Sequence, residues 1–192
     1  MGEEAAAAAN GQEPGDIKVQ DVDGNGVITT DDRIIYSQRP DVTFGFNNTF
    51  NYKGFDLSVF LYARLGQWIA YDYNTTYRIN ALENGGNVDY WTPENPTNAF
   101  PRPNKSKSYT QVTYYSTLKY EDGSFFKIRD ITLGYTFKPE LLKHLNLSRL
   151  RVYATAKNFF TFSKIDNYDP EQGGSISFPM TKQLVFGLNV EF

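Results

Sequence analysis

The chain has no cysteine among its 192 residues. That excludes disulfide staples, cysteine-based zinc sites and thiol nucleophiles, and it leaves the redox compartment open. Histidine occurs once, at His144 beside Lys143 in a turn-like stretch, which argues against imidazole catalysis or a histidine metal centre. No apolar run of eighteen residues exists, so a membrane-spanning helix is excluded. The net charge of −3 is too small to suggest a nucleic-acid partner. The opening residues, Met1-Gly-Glu-Glu-Ala, lack the basic start and apolar stretch of a secretory signal, so the sequence reads as cytoplasmic or as a piece of something longer. Aromatic residues, by contrast, are abundant. There are 14 Tyr and 15 Phe, yet the mean hydropathy is −0.51. A negative mean is compatible with a transmembrane β-barrel, because half of each strand faces water or lumen.

The last twelve residues show the clearest periodicity. Leu184, Phe186, Leu188, Val190 and Phe192 share one register; Gln183, Gly187, Asn189 and Glu191 share the other, with Val185 the apolar intruder. Alternation of this kind is a strand signal, and about 9–11 tilted residues suffice to cross a bilayer's hydrocarbon. The same alternation recurs upstream. Phe44, Phe46, Phe50 and Tyr52 alternate with Gly45, Asn47, Thr49 and Asn51; Lys53-Gly54 forms a two-residue hairpin turn; Phe55, Leu57, Val59, Leu61 and Ala63 make the return strand. A third strand carries Ile131, Leu133, Tyr135 and Phe137, and a fourth carries Leu150, Val152, Ala154 and Ala156, with Asn158-Phe-Phe-Thr-Phe162 leading into a loop. Lys127 and Arg129 fall in the apolar register of the third strand. Either they meet a polar interface, or a bulge switches the register.

Residues 65–124 break the alternation, and four prolines at 93, 96, 101 and 103 forbid a ladder there. None of the nine prolines lies in the five strands, and Gly45, Gly134 and Gly187 all lie in the polar register, where a small residue costs no lipid contact. The connections at 53–54 and 138–149 are short, whereas 65–124 and 158–180 are long. Outer-membrane barrels place short turns on the periplasmic side and long loops outside.

An Ala-rich lead at 1–16 precedes the sharpest local motif, Asp21-Val-Asp-Gly-Asn-Gly-Val-Ile-Thr-Thr-Asp-Asp32. Its spacing matches a calcium loop: Asp21, Asp23 and Asn25 at positions one, three and five, Gly26 at the turn, the Val27 carbonyl at seven, Asp32 at twelve. Asp is shorter than the usual bidentate Glu at that last position, as in dockerin-type loops. A self-bonded Asp/Asn/Gly turn is the other reading. Asp169 and Glu171 imitate a glycosidase pair but lie in a Pro/Gly loop, and the residues suggest solvent there. Asn47, Asn74 and Asn146 begin glycosylation-like triplets, discounted because Asn47 faces the lumen within a strand. No nucleophile–base arrangement stands on a rigid element, so an enzyme is not expected.

Several segments taken together carry a family resemblance: Gly15-Asp-Ile-Lys18, the Asp21-to-Asp32 loop, Tyr52-Lys-Gly-Phe-Asp-Leu-Ser58, Trp91-Thr-Pro-Glu-Asn-Pro96, Asp122-Gly-Ser-Phe125, Arg129-Asp-Ile-Thr-Leu-Gly-Tyr135, Asn158-Phe-Phe-Thr161 and Tyr168-Asp-Pro-Glu171. In this order, over roughly residues 11–192, the sequence resembles the C-terminal portion of SusC/RagA-type TonB-linked outer-membrane transporters. The resemblance implies an all-β fold: about five C-terminal strands of an antiparallel transmembrane barrel of about 22 strands, plugged, with long extracellular loops. It implies import of glycan oligomers or peptides across the outer membrane of a Gram-negative bacterium, with a SusD/RagB-like lipoprotein as cap. The TonB complex would act through N-terminal parts outside this sequence. The remaining barrel strands and outer-membrane lipid would be the structural partners.

On that basis residues 1–41 are read as an extracellular lead with a possible structural Ca²⁺, and 42–192 as barrel strands and loops. Trp68, Tyr71, Tyr73 and Trp91 are candidate substrate contacts, with interfacial girdle and loop packing as the alternative. Phe186, Leu188, Val190 and Phe192 resemble the assembly signal of outer-membrane barrels. A soluble, secreted, calcium-stabilised β-sandwich binding carbohydrate is the second reading of the whole.

Overall fold

A computed structural model describes residues 13–74, 89–102, 117–178 and 180–192. The chain divides into two compact units, Met1–Tyr36 with Ala70–Glu121, and Ser37–Ile69 with Asp122–Phe192. Along the chain run β1 (Val42–Tyr52), β2 (Phe55–Leu65), β3 (Trp68–Ala70), β4 (Tyr120–Asp122), β5 (Phe125–Thr136), the single helical turn α1 (Pro139–Leu142), β6 (Arg149–Ser163) and β7 (Gln183–Glu191).

The second unit is built on one antiparallel sheet in the order β1-β2-β5-β6-β7, while β3 and β4 make a separate two-stranded sheet. Each long strand therefore pairs with the next long strand along the chain. The expected antiparallel five-strand arrangement is present as an open sheet, with β1 and β7 as its edges among the described residues. Lys53 and Gly54 turn the first hairpin with φ of 48° and 89°, the left-handed values a two-residue turn requires. Pro139 opens α1, where its missing N–H costs no hydrogen bond. Two details extend the sequence reading. β6 continues through the aromatic stretch to Ser163, with Asn158 in the left-handed region at φ 58°. A bulge in β5 places Arg129 opposite no residue: Leu61 pairs with Ile128 and Phe60 with Asp130.

That bulge decides between the two readings of Lys127. Below it, Ile131, Leu133 and Tyr135 lie beside Val59, Leu57 and Phe55; above it, Ile128 and Phe126 lie beside Leu61 and Ala63. One inserted residue keeps the apolar side apolar along the whole strand and turns Lys127 to the polar side. The apolar side is continuous from Phe44 and Phe46 on β1 to Leu184, Phe186 and Leu188 on β7, and its aromatics are open, with Phe186 78% exposed. Among the described residues no second sheet of comparable size exists to cover this side as a sandwich would.

Candidate functional site

The loop at 21–32 is organised by its own carboxylates. Asp21 accepts from the Gly24 and Gly26 amides, each at 2.7 Å, and Asp23 accepts from the Asn25 amide at 3.0 Å. Asp32 reaches back, with one oxygen on the Val22 amide and the other on the Thr29 amide, both at 2.7 Å. Thr29 returns a bond to the 3₁₀ turn Thr30–Asp32, completing a capping box. The Thr29 and Val22 amides hold the Asp32 carboxyl below its ordinary range. Gly24 and Gly26 both take positive φ, and a side chain at either would meet open space, so backbone conformation rather than room selects glycine. These bonds are those of the self-bonded turn. They also converge three carboxylates: oxygens of Asp21, Asp23 and Asp32 lie within 4.8 Å of one another. Oxygens on opposite sides of a calcium ion at about 2.3–2.6 Å would be separated by about 5 Å, so the three fit one coordination sphere. Asn25 turns its side-chain oxygen to the Val27 amide at 2.7 Å.

The candidate aromatics occupy different settings. Trp68 begins β3 and is half-exposed. Tyr71 is packed in, 3% exposed, with the Tyr73 ring 5.9 Å away. Trp91 lies flat against Gly15, where an added Cβ would stand 2.3 Å from the indole. Asn74 is buried, its amide donating to the Leu118 carbonyl and the Glu121 carboxylate, a structural role that agrees with setting its triplet aside.

Asp169 and Glu171 correct the expectation of a solvated loop. Lys127, with no exposed surface, donates from Nζ to Asp169 at 2.6 Å and to Glu171 at 2.9 Å. Arg129 holds the other Glu171 oxygen at 3.1 Å. Asp169 also caps the 3₁₀ turn Pro170–Gln172, accepting from the Glu171 amide at 3.0 Å. A buried ammonium is tolerable only when paired and hydrogen-bonded, and these two carboxylates supply that pairing. The sequence separation of 42 and 44 residues is why inspection of the loop alone misses it.

Further along the same side, Arg151 makes a two-pronged contact with Asp56, at 2.8 and 2.5 Å. This pair arches over Gly134: a Cβ there would sit 2.5 Å from both partners. Likewise a Cβ at Gly187 would stand 2.3 Å from the Tyr153 ring. The polar-register glycines at 134 and 187 are therefore floors beneath large side chains, a closer reason than the absence of lipid contact. Thr132 and Thr155 share a hydroxyl bond at 2.8 Å. The β7 candidates Phe186 and Leu188, with the final Phe192, are open on the apolar side, Phe192 being 94% exposed.

An antiparallel meander with one apolar and one ion-paired side has the pattern of strands from a transmembrane β-barrel. No protein-family model matches the chain. It is 30% identical over 213 aligned positions to TonB-dependent receptor P3 of Formosa agariphila, an alignment covering 99% of this chain and 20% of that receptor. It is 31% identical over 181 positions to TonB-dependent receptor SusC of Bacteroides thetaiotaomicron, covering 90% of this chain and 17% of SusC. Among solved structures, the RagAB peptide importer in its closed-closed state matches with a TM-score of 0.67 and 27% identity, over 90% of this chain and 20% of that one. The chain belongs to the SusC/RagA-type TonB-dependent receptors. It spans about a fifth of the length of the curated relatives it matches.

Proposed function

We propose that this chain forms part of the wall of an outer-membrane nutrient importer, with strand β7 closing the barrel against the first strand of its parent. The observation that carries this is the continuous, open apolar side of a five-stranded meander whose other side is ion-paired. Water would penalise so large an exposed patch, whereas lipid accepts it. Edges left at β1 and β7 call for further strands of the same barrel, about 22 in all by analogy with plugged outer-membrane transporters. A SusD/RagB-like surface lipoprotein would cap it, TonB would energise it through other parts of the receptor, and peptides or glycan oligomers would be the cargo. Trp68, Tyr73 and Trp91 would contact that cargo or line its entrance, and Phe186, Leu188, Val190 and Phe192 would be read during barrel assembly. The deciding measurement is the intact mass of the native polypeptide extracted from membranes with detergent. A mass several times 21.9 kDa is expected. A 21.9 kDa protein in the soluble fraction would overturn the reading.

The loop at 21–32 would hold a structural Ca²⁺ through Asp21, Asp23, Asn25, the Val27 carbonyl and Asp32. Its support is the convergence of the three carboxylates. Calcium should slow proteolysis of this loop at neutral pH, and Asp32→Asn should abolish the effect. Equal protection with and without calcium would remove the ion from the account.

A further inference from the structure

We propose that Arg64, Tyr62 and Arg129 form a carboxylate-binding site on the polar side of the sheet. It names the cargo chemistry of the importer reading and rests on it.

Arg64 differs from every other arginine in the five long strands. Arg129 meets Glu171, Arg149 meets Glu191 and Arg151 meets Asp56. The half-buried guanidinium of Arg64 has one polar contact among the described residues, Nε donating to the Tyr62 hydroxyl at 2.8 Å. Its remaining N–H groups form a planar fork suited to a carboxylate, and the Tyr62 O–H, already accepting from Arg64, keeps its own proton to donate. Arg129 brings a second cation: its guanidinium and that of Arg64 each lie 5.5 Å from the centre of the Tyr62 ring. The bulge is what turns Arg129 to this spot.

Room is provided from β1. Arg64 lies opposite Thr43 and Tyr62 opposite Gly45, and a Cβ at Gly45 would find its nearest neighbour, Phe60, at 3.7 Å. Charge is favourable as well. The carboxylates of Asp169 and Glu171 oppose an incoming anion, but Lys127 and Arg129 hold them; Asp41 lies over Gly66 at the strand end, and Arg64 adds a further cation. The site lies at the end of the sheet where both long connections leave, the end an imported solute would meet first on the importer reading.

The test uses the full-length receptor in detergent, with labelled probes in matched pairs: a tetrapeptide with a free or amidated C-terminus, and a tetrauronate with free or methyl-esterified acids. Wild type should bind at least one free-acid probe on the order of 10-fold more tightly than its blocked partner. Arg64→Gln should erase that preference, and Arg64→Lys should keep part of it. The arm that shows the preference names the source of the carboxylate. No preference in wild type, or a preference unchanged in Arg64→Gln at equal thermal stability, overturns the site. Energised uptake of the same probes by cells is read separately. Uptake without acid preference overturns the site alone; acid-selective binding without receptor-dependent uptake supports the site and overturns the importer reading.

Discussion

The two sides of the β-sheet are made by the same strands yet solve opposite problems. On one side Phe44, Leu57, Leu133 and Phe186 have only their neighbours in the sheet and no covering layer among the described residues, and their fit is to whatever surrounds the sheet. On the other, nearly every charge is answered: Lys127 by Asp169 and Glu171, Arg151 by Asp56, Lys157 by Asp130 at 3.7 Å. The apolar side tolerates exchange of one large hydrophobe for another, since no jigsaw packing constrains it. The polar side depends on named partners and on the missing side chains of Gly134 and Gly187, over which Arg151–Asp56 and Tyr153 lie. Identity matters on one side and only character on the other.

The sharpest break should come from Lys127→Met. It strips both carboxylates of their buried cation and should cost about 3–5 kcal/mol. Denaturant unfolding of the folded receptor checks this, along with faster proteolysis within 164–182. A charge placed on either side tests the contrast directly. Leu188→Lys should destabilise by about 2–4 kcal/mol if it lies at the bilayer midplane, whereas Asn189→Lys one residue on should stay within about 1 kcal/mol. Equal costs for the two would mean the apolar side does not face lipid. Gly134→Val should cost about 1–3 kcal/mol by displacing the Arg151–Asp56 pair, while Gly45→Ala, whose methyl would meet only the Phe60 ring at 3.7 Å, should be nearly neutral on the polar side. The mildest effect concerns pH and lies outside the sheet. Because folding lowers the Asp32 pKa from its ordinary 3.8, its contribution is complete above that value and disappears as pH falls through the lower folded one. Proteolysis of the 21–32 loop should therefore be flat from pH 7 to 5 and rise only in stronger acid, and Asp32→Asn should remove that rise.

Much of the sheet was legible because period-two alternation is a local signal. β1, β2 and β7 can be read residue by residue, and the Lys53-Gly54 turn fixes the first register. In β5 the conflict at Lys127 reveals that something interrupts the strand, and the structure shows the interruption to be Arg129. Non-local partners were not legible. Nothing near Asp169 announces a lysine 42 residues earlier, and nothing near Gly134 announces that Arg151 will lie across it. Arg64 was missed for a related reason. Its sequence neighbours make it an ordinary polar-side strand residue, and only the ion pairs among the described residues show that it has been passed over.

The two long connections leave the sheet from one end, and the two short ones, Lys53-Gly54 and the segment around α1, close the other. The short turns set the β1–β2 and β5–β6 pairings, whereas β2–β5 and β6–β7 pair across the long segments through register and side-chain match, not through the length of the connection. Descendants of such a gene could vary much of 66–124 while inheriting the same wall, but any exchange within 164–182 would have to keep Asp169 and Glu171 for the buried Lys127. That separation gives selection a part it can vary quickly beside one it must leave alone.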